Sequence, residues 1–340
     1  MTVSEPLLRG PHSQMRPFLQ VAQVRARSCS LPLQRALTDF GADHAFGQVP
    51  KKLQEHYGIT IGASTVRKIT QGHGTRMREQ HEPVTWPVNT PGCPQQSGEL
   101  GGSMVPIVTS DDCAEDKRKH KTLHWQEARL ALVHAQGSVT PKFAATFGGS
   151  VEASGQALRA CAVAAGFGAN TQLHGVGDGA GWIAEQFATT FGPRASYLVD
   201  FYHVCDYLAA AAPVCAPTAP RLWLELQKQR LKNNEVAEVL SQLQPYVEAE
   251  TVDNDHAPVR ACVRYVHNRL PFLDYKGALE KGLPIGSGEI ESAHRYIIQE
   301  RLKVPGAWWK ADNVEPMLTL RVVRANGDWD KYWEQLALAA

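Results

Sequence analysis

Residues 177–203, GDGAGWIAEQFATTFGPRASYLVDFYH, contain the pattern that decides the fold. A glycine-bounded turn at Asp178 precedes a segment with helical spacing of apolar residues, and a short apolar run then ends at Asp200. This order predicts a strand, a helix, a second strand and a further helix. Taken alone, Asp178 fits an ordinary turn and Asp200 fits a strand-end cap. The rest of the chain must therefore decide between a structural and a chemical role.

The segments on either side extend the alternation of strands and helices. Residues 103–109 (SMVPIVT) and 128–137 (ARLALVHAQG) predict strands, and residues 152–168 predict an amphipathic helix. Residues 213–284 are helical and polar in pattern, and a glycine-rich turn then opens a helix within residues 282–303, GLPIGSGEIESAHRYIIQERLK. This order predicts an α/β fold: a ribonuclease-H-like catalytic core with a helical insertion.

Residues 83–98, PVTWPVNTPGCPQQSG, have four prolines, two glycines and no charge, which predicts a linker. Before it, three segments with helical spacing predict an all-α helix-turn-helix domain, in which Arg67 and Lys68 point outward toward DNA phosphates. A small three-helix bundle with a solvated charged face is the structural alternative. The predicted domains are residues 1–82 (helix-turn-helix), 83–98 (linker), 99–212 (first part of the core), 213–284 (helical insertion) and 285–340 (core completion and C-terminal helices).

The charge distribution supports a nucleic-acid partner at the N-terminal end. The net charge is only +1, but residues 1–80 contain 11 Lys and Arg against 5 Asp and Glu. The body is therefore mildly acidic, as expected if it concentrates carboxylates. The seven cysteines form no C-x-x-C pair, so we expect reduced packing residues. No apolar run is long enough for a membrane span or a signal peptide, which predicts a soluble cytoplasmic protein.

Convergence of three carboxylates would give the core a metal site. In a ribonuclease-H-like sheet an early strand lies beside the strand that ends at Asp178, and the late helix can present Glu291 to both. Three carboxylates there would hold two Mg²⁺ ions, hard cations that prefer oxygen ligands. Such ions activate a water or a 3′-hydroxyl and stabilise the leaving oxygen of a phosphodiester.

Five blocks of sequence resemble the bacterial insertion-sequence transposases of the Mutator-like DDE superfamily. In chain order they are DFGADHAFGQVPKKLQEHYGI, DKRKHKTLHWQEARLALV, GDGAGWI, DFYH and GSGEIESAHRYIIQERLKVPGAWWK, continued by LRVVRANGDWDKYW. The resemblance extends roughly over residues 30–335. It implies a transposase that binds element ends and catalyses metal-dependent DNA cleavage and strand transfer. It also implies two Mg²⁺ (or Mn²⁺) ions, double-stranded DNA as partner, a homo-oligomer on DNA and a location at the nucleoid.

The resemblance assigns roles to individual residues. Asp178 corresponds to the second catalytic aspartate and Glu291 to the catalytic glutamate, and both would bind metal. Asp200 and His203 form the D-x-x-H signature, in which His203 would orient DNA or the acidic site. Glu289 is a less favoured alternative to Glu291.

Basic residues after the glutamate are candidates for the DNA backbone. Arg295, Arg301 and Lys303 would contact phosphates, which position a duplex without reading its sequence. A solvated helix face is the equally weighted structural alternative.

One departure from the family pattern concerns the first aspartate. The chain reads ELGGSMVPIV. Gly101 stands where the family has the aspartate of an Asp-Gly pair, so the metal shared between two aspartates would lose a ligand. Asp111 and Asp112 are the nearest substitutes, and we expect them to lie past the strand. The main rival is therefore a catalytically inactive, DNA-binding remnant or regulator of intact copies. A two-carboxylate glycosidase is a weaker rival, because it needs no basic helix-turn-helix.

Overall fold

The computed structural model describes residues 6–11, 13–17, 29–80, 84–110 and 121–338. The predicted substitutes Asp111 and Asp112 lie outside these residues. The strands are β1 (Leu8–Arg9), β2 (Gln14–Met15), β3 (Gln95–Ser110), β4 (Lys121–Ala135), β5 (Lys142–Phe147), β6 (Gln172–Gly177) and β7 (Ala195–Val199). The helices are α1 (Leu31–Asp43), α2 (Val49–Tyr57), α3 (Ala63–Glu79), α4 (Val151–Ala164), α5 (Gly181–Phe191), α6 (Phe201–Cys215), α7 (Pro220–Lys232), α8 (Val236–Leu243), α9 (Pro258–His267), α10 (Tyr275–Glu280), α11 (Gly288–Ala293), α12 (Glu300–Leu302), α13 (Val314–Ala325) and α14 (Trp329–Leu338).

The chain has a mixed α/β fold, as the sequence predicts. A five-stranded sheet has the order β5-β4-β3-β6-β7, in which β3 and β6 are parallel, β6 and β7 are parallel, and β4 and β5 are antiparallel. Helix α5 is the crossover between β6 and β7, and the predicted helical insertion contains α7 to α10. Helix α11 continues into a π-helix (His294–Gln299) before α12.

The described residues form two compact units. One comprises residues 1–82, 104–127 and 295–340, and the other comprises residues 83–103 and 128–294. This division differs from the predicted domains, because the N-terminal and C-terminal helices share one unit.

The first unit has a small core to which the N- and C-terminal helices both contribute. Leu37, Leu53 and Val66 are fully buried where α1, α2 and α3 meet. Helix α13 packs closely on α3. The approach is so close at Gly74 that a Cβ there would collide with the carbonyl oxygen of Pro316. His73 on α3 is held at Nδ1, 2.7 Å from the Tyr332 hydroxyl of α14. These contacts explain why distant segments fold into one unit.

The second unit contains β5, β6, β7, residues 95–103 of β3 and residues 128–135 of β4, together with two apolar cores. One core includes Leu173 of β6 and Phe187 of α5. The Phe187 ring lies so close to Gly175 that a Cβ at that position would collide with it. The other core includes Val199 of β7 together with apolar residues of α6 to α10. Trp86 lies within the segment predicted as a linker, yet its ring packs 5.4 Å from that of Phe167.

Two global features follow from the described residues. No disulfide joins the cysteines among them. Across the same residues, the helices are too short or too polar to traverse a lipid bilayer.

Candidate metal centre

The site lies where the parallel strands β6 and β7 reach their carboxyl ends, beside the middle of β3. Glu99 of β3 pairs with Val176 of β6, and Gly177 of β6 pairs with Val199 of β7. Asp178 and Asp200 therefore follow the ends of adjacent strands. Since side chains alternate along a strand, Gly101 shares a face of β3 with Glu99.

The buried carboxylate of Asp200 forms hydrogen bonds to both the start of α6 and the turn before α11. Its Oδ1 accepts hydrogen bonds from the backbone N–H groups of Tyr202 (2.6 Å) and His203 (3.3 Å), which caps α6. Its Oδ2 accepts from the backbone N–H (2.7 Å) and hydroxyl (2.5 Å) of Ser287. The side chain thus anchors the glycine-rich turn that precedes α11, the helix that carries Glu291.

Glu99 is a second buried carboxyl group beneath the same helix. It is 4% exposed, and its Oε2 accepts a 2.7 Å hydrogen bond from the backbone N–H of Ile290, in the first turn of α11. The hydroxyl of Ser287, the residue before this helix, is engaged by Asp200, so Glu99 satisfies a backbone donor that the helix start leaves open. Burial raises the pKa of Glu99 to about 8, and the charges of Glu289, Asp200 and Glu291 act in the same direction against the Ile290 hydrogen bond.

Glu99 is not among the site residues that the sequence predicts. The signal was a carboxylate inside a glycine-rich strand segment, two residues before Gly101, where a charged side chain is rarely buried without a purpose.

Asp200, His203 and Glu291 form a cluster with metal-ligand geometry. One ligand atom from each lies within 4.8 Å of the others, and His203 Nδ1 is 3.8 Å from Asp200 Oδ2. Glu291 is exposed and His203 is partly exposed. An open cleft of about 380 Å³ adjoins Glu291 and Asp200. The three residues could hold a metal ion within reach of a substrate in the cleft.

Asp178 lies outside this cluster. Its Oδ1 accepts a 2.8 Å hydrogen bond from the N–H of Ala180, and its backbone carbonyl accepts from the Tyr265 hydroxyl at 2.6 Å. The side chain is exposed. The structure therefore brings Glu291 together with Asp200 and His203, whereas Asp178 remains at the end of the neighbouring strand.

Gly101 leaves room for a histidine. A Cβ at this position would lie 3.1 Å from His294 Cε1 and 3.5 Å from Ile290 Cγ1. Gly101 has ordinary strand geometry and no positive φ, so the backbone conformation does not require a glycine here. The missing side chain instead matches close packing beneath the late helix.

The predicted phosphate-binding residues differ in their surroundings. Arg67, Lys68, Arg295 and Lys303 are exposed. Arg301 is only 2% exposed; its Nε donates to the Gly41 carbonyl (3.0 Å), and its guanidinium lies over the rings of Phe46 and Trp309. This burial contradicts a phosphate contact by Arg301 and gives it a role in packing.

The C-terminal half of the chain matches one family model. Residues 169–335 match the model described as Uncharacterised protein family (UPF0236). The matched segment includes Asp178, Asp200 and Glu291 and begins after Glu99 and Gly101. No curated protein matches the chain. The matched residues thus include the site residues on β6, β7 and α11 and their flanks but not those on β3, and the family's description gives no activity.

The buried carboxyl of Glu99 predicts a pH-dependent stability. Its folded-state pKa of about 8 lies above the ordinary glutamate pKa of 4.5, so the folded chain binds the extra proton between these values. Stability should fall as pH rises through this window, by about 5 kcal/mol in full from this group. Glu99→Gln should remove that component, as measured by urea unfolding in EDTA at several pH values.

A control separates Glu99 from other titrating groups. Glu185→Gln, an exposed change on α5, should keep the wild-type pH profile. Identical profiles for Glu99→Gln and the wild type between pH 5 and pH 8 would contradict burial of a neutral Glu99.

Proposed function

We propose that the chain descends from a DNA transposase of the Mutator-like DDE type, and that its strand-end site is built for metal-dependent phosphodiester cleavage. The carrying observation is the arrangement of the site in the sheet. β3 lies beside β6, β6 beside β7, and α11 places Glu291 next to Asp200 at the strand ends. The order β5-β4-β3-β6-β7 supports a ribonuclease-H-like core, because it sets the early strand beside the one that ends before Asp178.

The donor set favours a particular kind of cation. Asp200 and Glu291 offer oxygen and His203 offers nitrogen, and an imidazole suits Mn²⁺ or Zn²⁺ better than Mg²⁺. Asp200 already accepts four hydrogen bonds, about as many as a carboxylate has lone-pair sites. Glu291 and His203 would therefore be the stronger ligands. When bound, such an ion lowers the pKa of a coordinated water and stabilises a leaving oxygen.

The remaining residues position these ligands and the substrate. Asp200 and Glu99 hold the first turn of α11 from two strands and so fix where Glu291 points. Asp178 uses one carboxylate oxygen, Oδ1, for the turn hydrogen bond from Ala180. The other oxygen would be available to a second metal ion, whose other ligand would come from position 101. Gly101 offers no ligand there, so we propose that this chain retains one ion position and has lost the other.

DNA binding belongs to the same proposal. The helix pair α2–α3, with exposed Arg67 and Lys68, supports a helix-turn-helix that binds double-stranded element ends. A homo-oligomer that acts on nucleoid DNA in the cytoplasm completes the proposed function.

A second candidate function is a non-cleaving DNA-binding protein of transposase origin. Two observations favour it: Gly101 lacks a ligand atom, and the nearest carboxyl on that face, Glu99, is buried and bonded to α11. Both functions require duplex binding, and they differ only in whether the strand-end site can cleave.

Metal binding tests the proposed site directly. In titration calorimetry the protein should bind Mn²⁺ more tightly than Mg²⁺, because of the imidazole donor. Glu291→Gln should weaken Mn²⁺ binding by about 10-fold or more, and His203→Ala should weaken Mn²⁺ more than Mg²⁺.

The neighbouring carboxylate gives a matched control. Glu289→Gln changes an exposed residue of the same helix turn outside the cluster, and it should leave Mn²⁺ affinity unchanged. Equal Mn²⁺ affinity in wild type, Glu291→Gln and His203→Ala would exclude the cluster as the metal site.

A further inference from the structure

A basic groove runs along helix α3 in the first unit. We call it the α3 groove; it has a volume of about 910 Å³. Its cationic lining residues are Arg67, Lys68, Arg76 and Lys310. The first three belong to α3, whereas Lys310 comes from the segment that precedes α13. The groove is therefore built from both ends of the chain.

The α3 wall is a regular row. Ser64, Lys68, Gly72 and Arg76 are spaced by four residues and so lie along one inclined ridge of the helix surface, which lines the groove. A Cβ at Gly72 would meet no atom within 4 Å, so the backbone is open between the two cations. Lys68 and Arg76 are about 12 Å apart along the axis. A DNA duplex presents roughly seven phosphate charges over that length.

The side of the groove opposite α3 consists of Lys310 and Asn313, and backbone contacts fix its position. Trp309, the residue before Lys310, pairs through its backbone with β3, and its carbonyl accepts from Val108 N–H at 2.8 Å. Asn313 also lines the groove, and its N–H donates to the Lys310 carbonyl at 3.0 Å. Because α13 packs on α3 at Gly74, this wall is preorganised rather than a loose loop.

The lining chemistry specifies the partner. No Asp or Glu is among the lining residues that the structure describes, while Gln34, Gln71 and Asn313 add hydrogen-bonding groups beside the four cations. Within the described part of the chain, no Phe, Tyr or Trp is among the residues that line the groove, and both ring nitrogens of His73 are engaged by Tyr332 and Gln34. Single-stranded nucleic acids are typically bound on aromatic stacking platforms. Cations and amides without aromatic rings fit the outer surface of a duplex.

We infer that the α3 groove binds the phosphate backbone of duplex DNA, and that Lys310 and Arg76 are contacts in addition to Arg67 and Lys68. This rests on the proposed DNA-binding function and extends it. The DNA-binding surface is not confined to the N-terminal helices, because it requires a residue of the C-terminal segment.

The test is binding of the full-length protein to a fluorescent duplex at several salt concentrations. Lys310→Ala should weaken binding about 5- to 10-fold near 0.1 M salt and reduce the slope of log K against log salt by about 0.9, the effect of one lost phosphate contact. Arg76→Ala should act in the same way. Lys331→Ala, which removes an exposed charge of the same unit outside the groove, is the control and should change neither quantity.

The outcomes distinguish the inference from the proposed function. No duplex binding by the wild-type protein would remove both. Duplex binding that depends on Arg67 and Lys68 but is equal in Lys310→Ala and Lys331→Ala would overturn the α3 groove alone. Tighter binding to a single strand of the same length, or equal binding to polyglutamate, would overturn the duplex as its partner.

Discussion

Asp200→Ala is expected to lower the free energy of unfolding by about 3–5 kcal/mol, the range for breaking a buried charged network. The residue is 2% exposed, and its carboxylate accepts four hydrogen bonds. Its loss removes the cap of α6 and leaves the buried Ser287 N–H and hydroxyl without their acceptor. Urea unfolding of the whole chain measures the effect.

Two further variants make this prediction specific. Asp206→Ala removes an exposed carboxylate from the same helix and should change stability by less than about 0.5 kcal/mol. Asp200→Asn should fall between the two, because its NH₂ group would face a backbone donor in place of one acceptor oxygen. A loss below about 1 kcal/mol in Asp200→Ala would show that Asp200 does not anchor the turn before α11.

Gly101→Asp is expected to raise DNA cleavage by about 100-fold or more, the usual effect of one well-placed electrostatic group in catalysis. The new carboxylate would stand on the face of β3 shared with Glu99, beside the strand that ends before Asp178. The rate of nicking of a supercoiled plasmid that carries the DNA flanking the gene, with Mn²⁺ present, measures the gain.

Packing at His294 limits this rescue. A Cβ at position 101 lies 3.1 Å from His294 Cε1, a tighter approach than side chains usually make. Gly101→Asp combined with His294→Ser should therefore cleave faster than Gly101→Asp alone. His294→Ser by itself should cleave no faster than the wild type, and faster nicking by that single variant would contradict the role given to position 101.

The elements around the site could be predicted because their signals are local. Asp200 follows an apolar run and precedes a helix, so its place at a strand end and its capping role both follow from a few adjacent residues. The α/β alternation has the same origin. Glu291 was located in the same way, by the glycine-rich turn before its helix.

Features that depend on distant segments had no such signal. Glu99 is buried beneath α11, a helix far along the chain, where the backbone N–H of Ile290 donates a hydrogen bond to it. Arg301 looks like a surface cation in sequence, yet Phe46 and Trp309 cover its guanidinium. The shared unit of N- and C-terminal helices also depends on packing between remote residues, which periodicity does not encode.

The most direct test of the central claim is nicking of that plasmid by three proteins in Mn²⁺: wild type, Gly101→Asp/His294→Ser, and the same double variant with Glu291→Gln. The proposed function predicts slow nicking by the wild type, metal-dependent nicking about 100-fold faster or more by the double variant, and loss of that gain when Glu291 is replaced. Nicking that persists after Glu291→Gln, or that proceeds equally in EDTA, would contradict a metal-dependent cleavage site at the ends of β6 and β7 beside β3.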